Sequence, residues 1–201
     1  VLDLAKEKLL EGGIETVETN LRNGDFVDTV TEFQDDADLI VSGKRGEAAD
    51  FAKMHLGSNL ERLIRSKNRP VLVAARAFKP INRILVAFDG GRSSHGAIEY
   101  VASNKLYTEL EFHVVIAGKE GSRGHKQSMH AENLLKKAGI KYQFFFERGE
   151  PEKVISDHVE QHNIDLLVMG AYGHSRIRNL MIGSTTTQMI RSCLVPVLLF
   201  R

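Results

Sequence analysis

The sequence predicts an α/β fold, doubly wound around a mostly parallel sheet, on three observations. From residue 84 onward, short apolar runs alternate with amphipathic stretches, the pattern of strands joined by crossover helices. The run Ile164 to Met169 leads into Gly170-Ala171-Tyr172-Gly173-His174 and, nine residues after Gly173, into Gly183-Ser184-Thr185-Thr186. The same arrangement occurs earlier as Ser42-Gly43-Lys44-Arg45-Gly46, with Gly57-Ser58 following after ten residues.

Residues 1–12 read as the second half of an amphipathic helix, with Leu2, Leu4, Leu9 and Leu10 apolar and Gly12-Gly13 as its stop. Ile14 to Leu21 alternates apolar and polar residues, as a strand does. Asn23-Gly24-Asp25 is a turn, and Asp25 caps a helix from Phe26 to about Gln34. Leu39-Ile40-Val41 reads as a short strand, apolar throughout and therefore covered on both faces. A helix over 58–66 follows, then a strand from Val71 to Ala74, and Lys79-Pro80 reads as a linker. The second part gives strands at 84–88, 110–117, 141–147, 164–169 and 195–200. Between them lie helices at 93–103, at about 126–138, from Pro151 onward, and at about 184–192.

The two parts are copies of one unit. Gly24 and Gly149, Asp38-Leu39 and Asp165-Leu166, Gly57-Ser58 and Gly183-Ser184, and Pro70-Val71-Leu72 and Pro196-Val197-Leu198 all stand 125 to 127 residues apart. The boundary falls after residue 78. Residues 1–78 form a partial unit without counterparts of the first strand, first helix and second strand, and residues 79–201 form a complete one. The expectation is that the rest of the first unit lies upstream in a longer chain, the alternative being that another protomer supplies it. Val1 in place of Met fits a processed, trimmed or partial product.

Composition narrows the function classes. The 201 residues are 42% hydrophobic and 26% charged, ordinary for a soluble globular protein. Up to residue 80 there are 12 basic and 14 acidic residues, and 15 and 12 thereafter, so neither part has the basic excess of a duplex-binding domain. No apolar run reaches membrane-spanning length, and the start is not signal-like. The lone Cys193 allows no internal disulfide and no cysteine-built metal site, which suits a reducing compartment, the cytoplasm.

The glycine stretch carries the chemistry. Glycines let a backbone approach an anion closely, and the N-terminus of the following helix adds unpaired N–H donors. The hydroxyls of Ser184, Thr185 and Thr186 either donate to phosphate oxygens or cap their own helix. On residues alone, a plain strand-to-helix turn remains the alternative.

A strand ending in Asp89, the Gly-x2-Gly-x9-Gly-Ser spacing and a proline-containing last strand together resemble the universal stress protein family. The resemblance covers 80–201 and, in truncated form, 1–78, and a tandem pair resembles the two-domain bacterial members. It implies a five-stranded parallel sheet in the order 3-2-1-4-5 with helices on both faces. It also implies ATP, accompanied by Mg2+ or Mn2+, at the carboxyl ends of strands 1 and 4, where open α/β sheets favour ligands. By the same resemblance Ala87 and Asp89 touch the adenosine moiety and Val114 meets adenine through its backbone. Met169, Gly170 and Gly173 form the ribose and phosphate loop, and Gly183, Ser184 and Thr185 form the phosphate-binding helix start. Phe88 is bulkier than many members carry and bears on adenine access. In the first unit, the ten-residue spacing, Asn59 in place of Thr185 and the absent first strand argue against a working site.

Other motifs compete poorly. Gly91 to Gly96 has the glycine gap of a Walker loop but continues into Ala97-Ile98, without its lysine and hydroxyl. His158 and His162 stand one helical turn apart, as in a two-histidine metal site, but with no third ligand in view they read as an exposed helix face. No nucleophile elbow is present. Asp89 is positioned to hold a divalent ion, yet nothing positions a water for attack, so at most slow ATP hydrolysis is expected. The expected function is therefore that of an ATP-binding sensor or regulator, with its two units paired and a homo-oligomer as a further arrangement. The alternative from another class is a non-nucleotide interaction module built on strands 71–74 and 195–200.

Overall fold

Strands β3 (Arg83–Ala87), β4 (Glu111–Ala117), β5 (Lys141–Glu147), β6 (Leu166–Gly170) and β7 (Val197–Phe200) are all parallel to their neighbours in the order β5-β4-β3-β6-β7. This is the expected 3-2-1-4-5 order. In this computed structural model, residues 1–44, 58–66, 69–171 and 183–201 are described. Ile84-Leu85-Val86 and Leu166 to Met169 are buried in unbroken runs, because helices cover the sheet on both sides.

The helices divide the core into two layers. On one face α4 (Arg92–Ser103) and α5 (Arg123–Lys137) bring Ala97, Ile98, Val101, Ala131 and Leu135 onto Ile84, Val86, Phe112 and Val168. On the other, α6 (Pro151–Gln161) and α7 (Ser184–Ser192) bring Val154, Ile155, Met189 and Ile190 onto Leu85, Val115, Leu167 and Leu199. Pro151 opens α6 at its first position, where a missing N–H costs nothing.

Residues before 75 extend this sheet. After α1 (Leu2–Glu11) and α2 (Phe26–Phe33), β1 (Ile40–Ser42) pairs in parallel with β2 (Val71–Val73), and α3 (Ser58–Ser66) packs Leu60, Leu63 and Ile64 into the same layer as α6 and α7. β2 runs antiparallel to β7, with Leu72 opposite Leu198, so among the described residues the sheet has seven strands. Asp25 caps α2 as expected, its Oδ1 accepting from the Val27 and Asp28 N–H groups at 2.8 and 3.1 Å.

Two expectations for the first part fail, while the helix expected over residues 1–12 is present as α1. Ile14 to Leu21 carries no strand, since no neighbouring strand lies beside it to complete a hydrogen-bond ladder. Val41 is 62% exposed although the run Leu39-Ile40-Val41 is wholly apolar, because β1 is the sheet edge. α1 buries none of its residues, whereas α5 packs on β4.

Candidate functional site

The carboxyl ends of β3 and β6 lie side by side, and two helices begin there. Ala87 pairs with Met169 in the parallel ladder and lies on the same face of the sheet. After β3 the chain turns at Phe88-Asp89-Gly90-Gly91. Gly90 takes φ +71°, and a Cβ there would stand 2.7 Å from the Arg123 carbonyl oxygen, so only glycine fits. Asp89 ties this turn to the first turn of α4, whose N-terminus has no side-chain cap. Its Oδ1 accepts from the Gly91 N–H and from the Ser94 hydroxyl, both at 2.7 Å. The carboxylate is thereby held at the mouth of the crevice by two donors.

Gly170 ends β6 against the first turn of α4. A Cβ at that position would meet Ser93 Cβ at 2.9 Å and Ser94 N at 3.3 Å, so this glycine is required for packing whatever else it does. Gly183 opens α7 with no side-chain cap. Its N–H reaches the Ala171 carbonyl at 3.3 Å, and the Thr186 hydroxyl donates to the Gly170 carbonyl at 3.1 Å. Ser184 is exposed, while the Thr185 hydroxyl donates to Glu152 Oε1 of α6 at 2.7 Å.

The structure thus brings together Ala87, Asp89, Met169, Gly170 and the Gly183-Ser184-Thr185 turn. Gly173 lies outside the described residues, as does His174. Val114 is not brought in. It sits in mid-β4 between Val86 and Phe144, its backbone within the ladders and its side chain in the α4–α5 layer. Phe88 is 2% exposed and turns into that same layer, edge-on to the His95 ring, so its bulk lies away from the Ala87 face. Shallow clefts at this end of the sheet are lined by Gly118, Lys119, Glu120, Arg148 and Glu150, at the ends of β4 and β5. Arg148 and Lys119 give that rim cationic side chains that sequence reading did not single out. Their signal, a lysine and an arginine just after two strands, is too common to stand out.

Of two further sites, Cys193 agrees with a buried residue at the last helix and the histidine face differs from expectation. Cys193 is buried at the end of α7, and burial pushes its thiol above the ordinary range. The helix face bearing His158 is not exposed: that ring is 2% exposed and lies against His113 of β4. A crossing of 45 residues brings the two together, and no spacing rule reveals it.

The comparisons agree with this architecture. The Universal stress protein family is matched at residues 1–75 and 115–201. "Universal stress protein Slr1230" of Synechocystis is 42% identical over 203 residues, covering 100% of this chain and 71% of that protein. The crystal structure of a universal stress protein from Archaeoglobus fulgidus superposes with a TM-score of 0.77 at 27% identity, over 100% of this chain and 74% of that one. Another solved universal stress protein, a complex with cAMP, has the same fold at a TM-score of 0.51 and 21% identity, over 61% of this chain and 98% of its own. With the family matched over most of its length, and the sheet order and glycine turns in place, the chain belongs to the universal stress protein family.

Proposed function

We propose that residues 79–201 bind an adenine nucleotide, ATP, at the carboxyl ends of β3 and β6, and that binding serves sensing or regulation in the cytoplasm. One observation carries the reading. Two helix N-termini, those of α4 and α7, begin at glycines beside the same pair of strand ends, with Asp89 fixed between them and the strand. Helix starts of this kind offer N–H donors and partial positive charge to phosphates, and Asp89 is the group suited to a Mg2+ or Mn2+ ion bridging them. Ala87, Met169 and Gly170 would line the approach, and Gly183, Ser184 and Thr185 would receive the phosphates. In this reading 1–78 and 79–201 are tandem units, the first paired with the second through β2 and β7 rather than binding nucleotide itself.

Mass spectrometry of small molecules released from purified protein, followed by ATP titration with and without Mg2+, tests the proposal. Recovered adenine nucleotide or micromolar affinity is expected. The Gly183→Val variant should lose binding with its fold intact, since φ −59° and ψ 147° suit valine. Unchanged affinity in that variant would overturn the site.

A second reading rests on two specific contacts. Val114 is locked in the sheet and the Thr185 hydroxyl is already engaged by Glu152, both of which favour a non-nucleotide interaction module. A protein that arrives empty and ignores adenine nucleotides would select it. Slow hydrolysis at the same site predicts loss of activity in Asp89→Ala.

A further inference from the structure

We propose that His113, His158 and His162 form a site for one divalent transition-metal ion of the zinc class, clamping the end of α6 onto β4. One ring nitrogen from each histidine lies within 4.8 Å of the others. His113 Nδ1 and His158 Nε2 face each other at 2.8 Å, and the His158 and His162 rings stack with centroids 4.1 Å apart. A zinc ion with bonds of about 2.05 Å sets its tetrahedral ligands about 3.3 Å apart. The observed spread brackets that edge, so ring rotations suffice to close the triad.

The outward nitrogens decide what sits inside. His158 Nδ1 lies 3.2 Å from Glu147 Oε1, and His113 Nε2 lies 3.5 Å from Glu111 Oε1. Each carboxylate favours a proton on the nitrogen it faces, which leaves both inward nitrogens with lone pairs aimed at each other. Lone pairs at that separation repel, and a cation between them relieves the repulsion without moving a proton off either carboxylate-facing nitrogen. A metal ion satisfies both lone pairs and a third ligand at once.

The surroundings have the form of an outer coordination shell. Glu111 is held by Arg83 through Nε at 3.0 Å and Nη2 at 2.8 Å, and Arg83 Nη1 donates to the His162 carbonyl at 2.5 Å. Carboxylates oriented in this way fix ring tautomers and strengthen imidazole as a ligand. Phe145 walls the cluster, its ring centroid 4.8, 4.6 and 5.4 Å from those of His113, His158 and His162. His162, half-buried at the end of α6, leaves an entry side and room for a fourth, exchangeable ligand. Three neutral imidazoles without thiolate suit zinc, copper or nickel over magnesium or calcium. The site is separate from the crevice at β3 and β6 and does not depend on nucleotide binding.

Tag-free protein stripped with EDTA and titrated with zinc chloride, then with cobalt(II), tests the site. Expected are one equivalent of zinc, a higher Tm with zinc present, and the visible d–d bands of tetrahedral cobalt. His162→Gln lies at a helix end and should stay folded by circular dichroism, while zinc affinity falls by about 100-fold or more. Glu147→Gln should weaken binding about 10-fold, and His130→Gln, in the pair with His95, should change nothing. Failure of the stripped wild-type chain to take up zinc would overturn the proposal, as would wild-type affinity in His162→Gln or a loss that follows His130 instead.

Discussion

The Thr185 hydroxyl donates to Glu152 Oε1 at 2.7 Å, tying the first turn of α7 to the first turn of α6. This places a carboxylate beside a helix start proposed to receive phosphates. Removing its charge in Glu152→Gln should therefore raise ATP affinity by about two- to fivefold, the scale of a partly exposed charge contact. Titrations at two ionic strengths check this, with the gain shrinking at high salt. Weaker binding in the variant would mean that Glu152 aims Thr185 at the ligand.

Gly170 should resist substitution even where nucleotide is irrelevant. Gly170→Ala sets a methyl 2.9 Å from Ser93 Cβ, so α4 must shift away from β6. A loss of about 1–3 kcal/mol in urea unfolding, measured without ligand, is expected for such overpacking.

Leu63 is fully buried in the layer shared by α3, α6 and α7. Leu63→Ala should cost about 2–5 kcal/mol. Because its neighbours come from both parts of the chain, the loss should appear as an earlier single transition rather than as melting of the first part alone. Unfolding followed at two probes, one before residue 75 and one on β5, distinguishes these outcomes.

One part of the acid dependence follows from Asp25. Arg62 donates to its Oδ2 at 2.6 Å and, with the α2 N–H groups, holds the carboxyl below the ordinary carboxylate range. A depressed folded-state pKa means stability that is present above the ordinary value of about 4 and lost as pH falls through the lower folded one. The Asp25 share of stability should therefore fade only below about pH 4 in the wild type, and Arg62→Ala should shift the acid limb of unfolding to higher pH. An unmoved acid limb would show the ion pair to be without effect.

Much of the second part was legible because four of its five strands, β3, β4, β6 and β7, carry runs of four or more apolar residues, which need cover on both faces. Local chemistry was legible too, as Asp25 at the start of α2 shows. Ile14 to Leu21 misled because alternation describes what a strand would bury, and a strand also needs a neighbour. Val114 was carried over by family position, yet its peptide groups lie within the ladders between Val86 and Phe144. The histidine triad was half visible at His158 and His162. Its third member became visible only when α6 crossed β4.

The antiparallel join of β2 and β7 turns the molecule to face two ways. The register Val71 to Leu199, Leu72 to Leu198 and Val73 to Val197 is that of a local two-fold axis passing between Leu72 and Leu198. Since β1 runs with β2, and β6 with β7, the chain leaves Ser42 and Gly170 at opposite rims of one sheet. Lys44 accordingly reaches the Cys193 carbonyl, at the far end of α7 from Gly183, where a cation suits the helix terminus. Ser42-Gly43 and Gly170-Ala171 therefore cannot grip one ligand between them, and a signal passing from one rim to the other has to cross the shared strands.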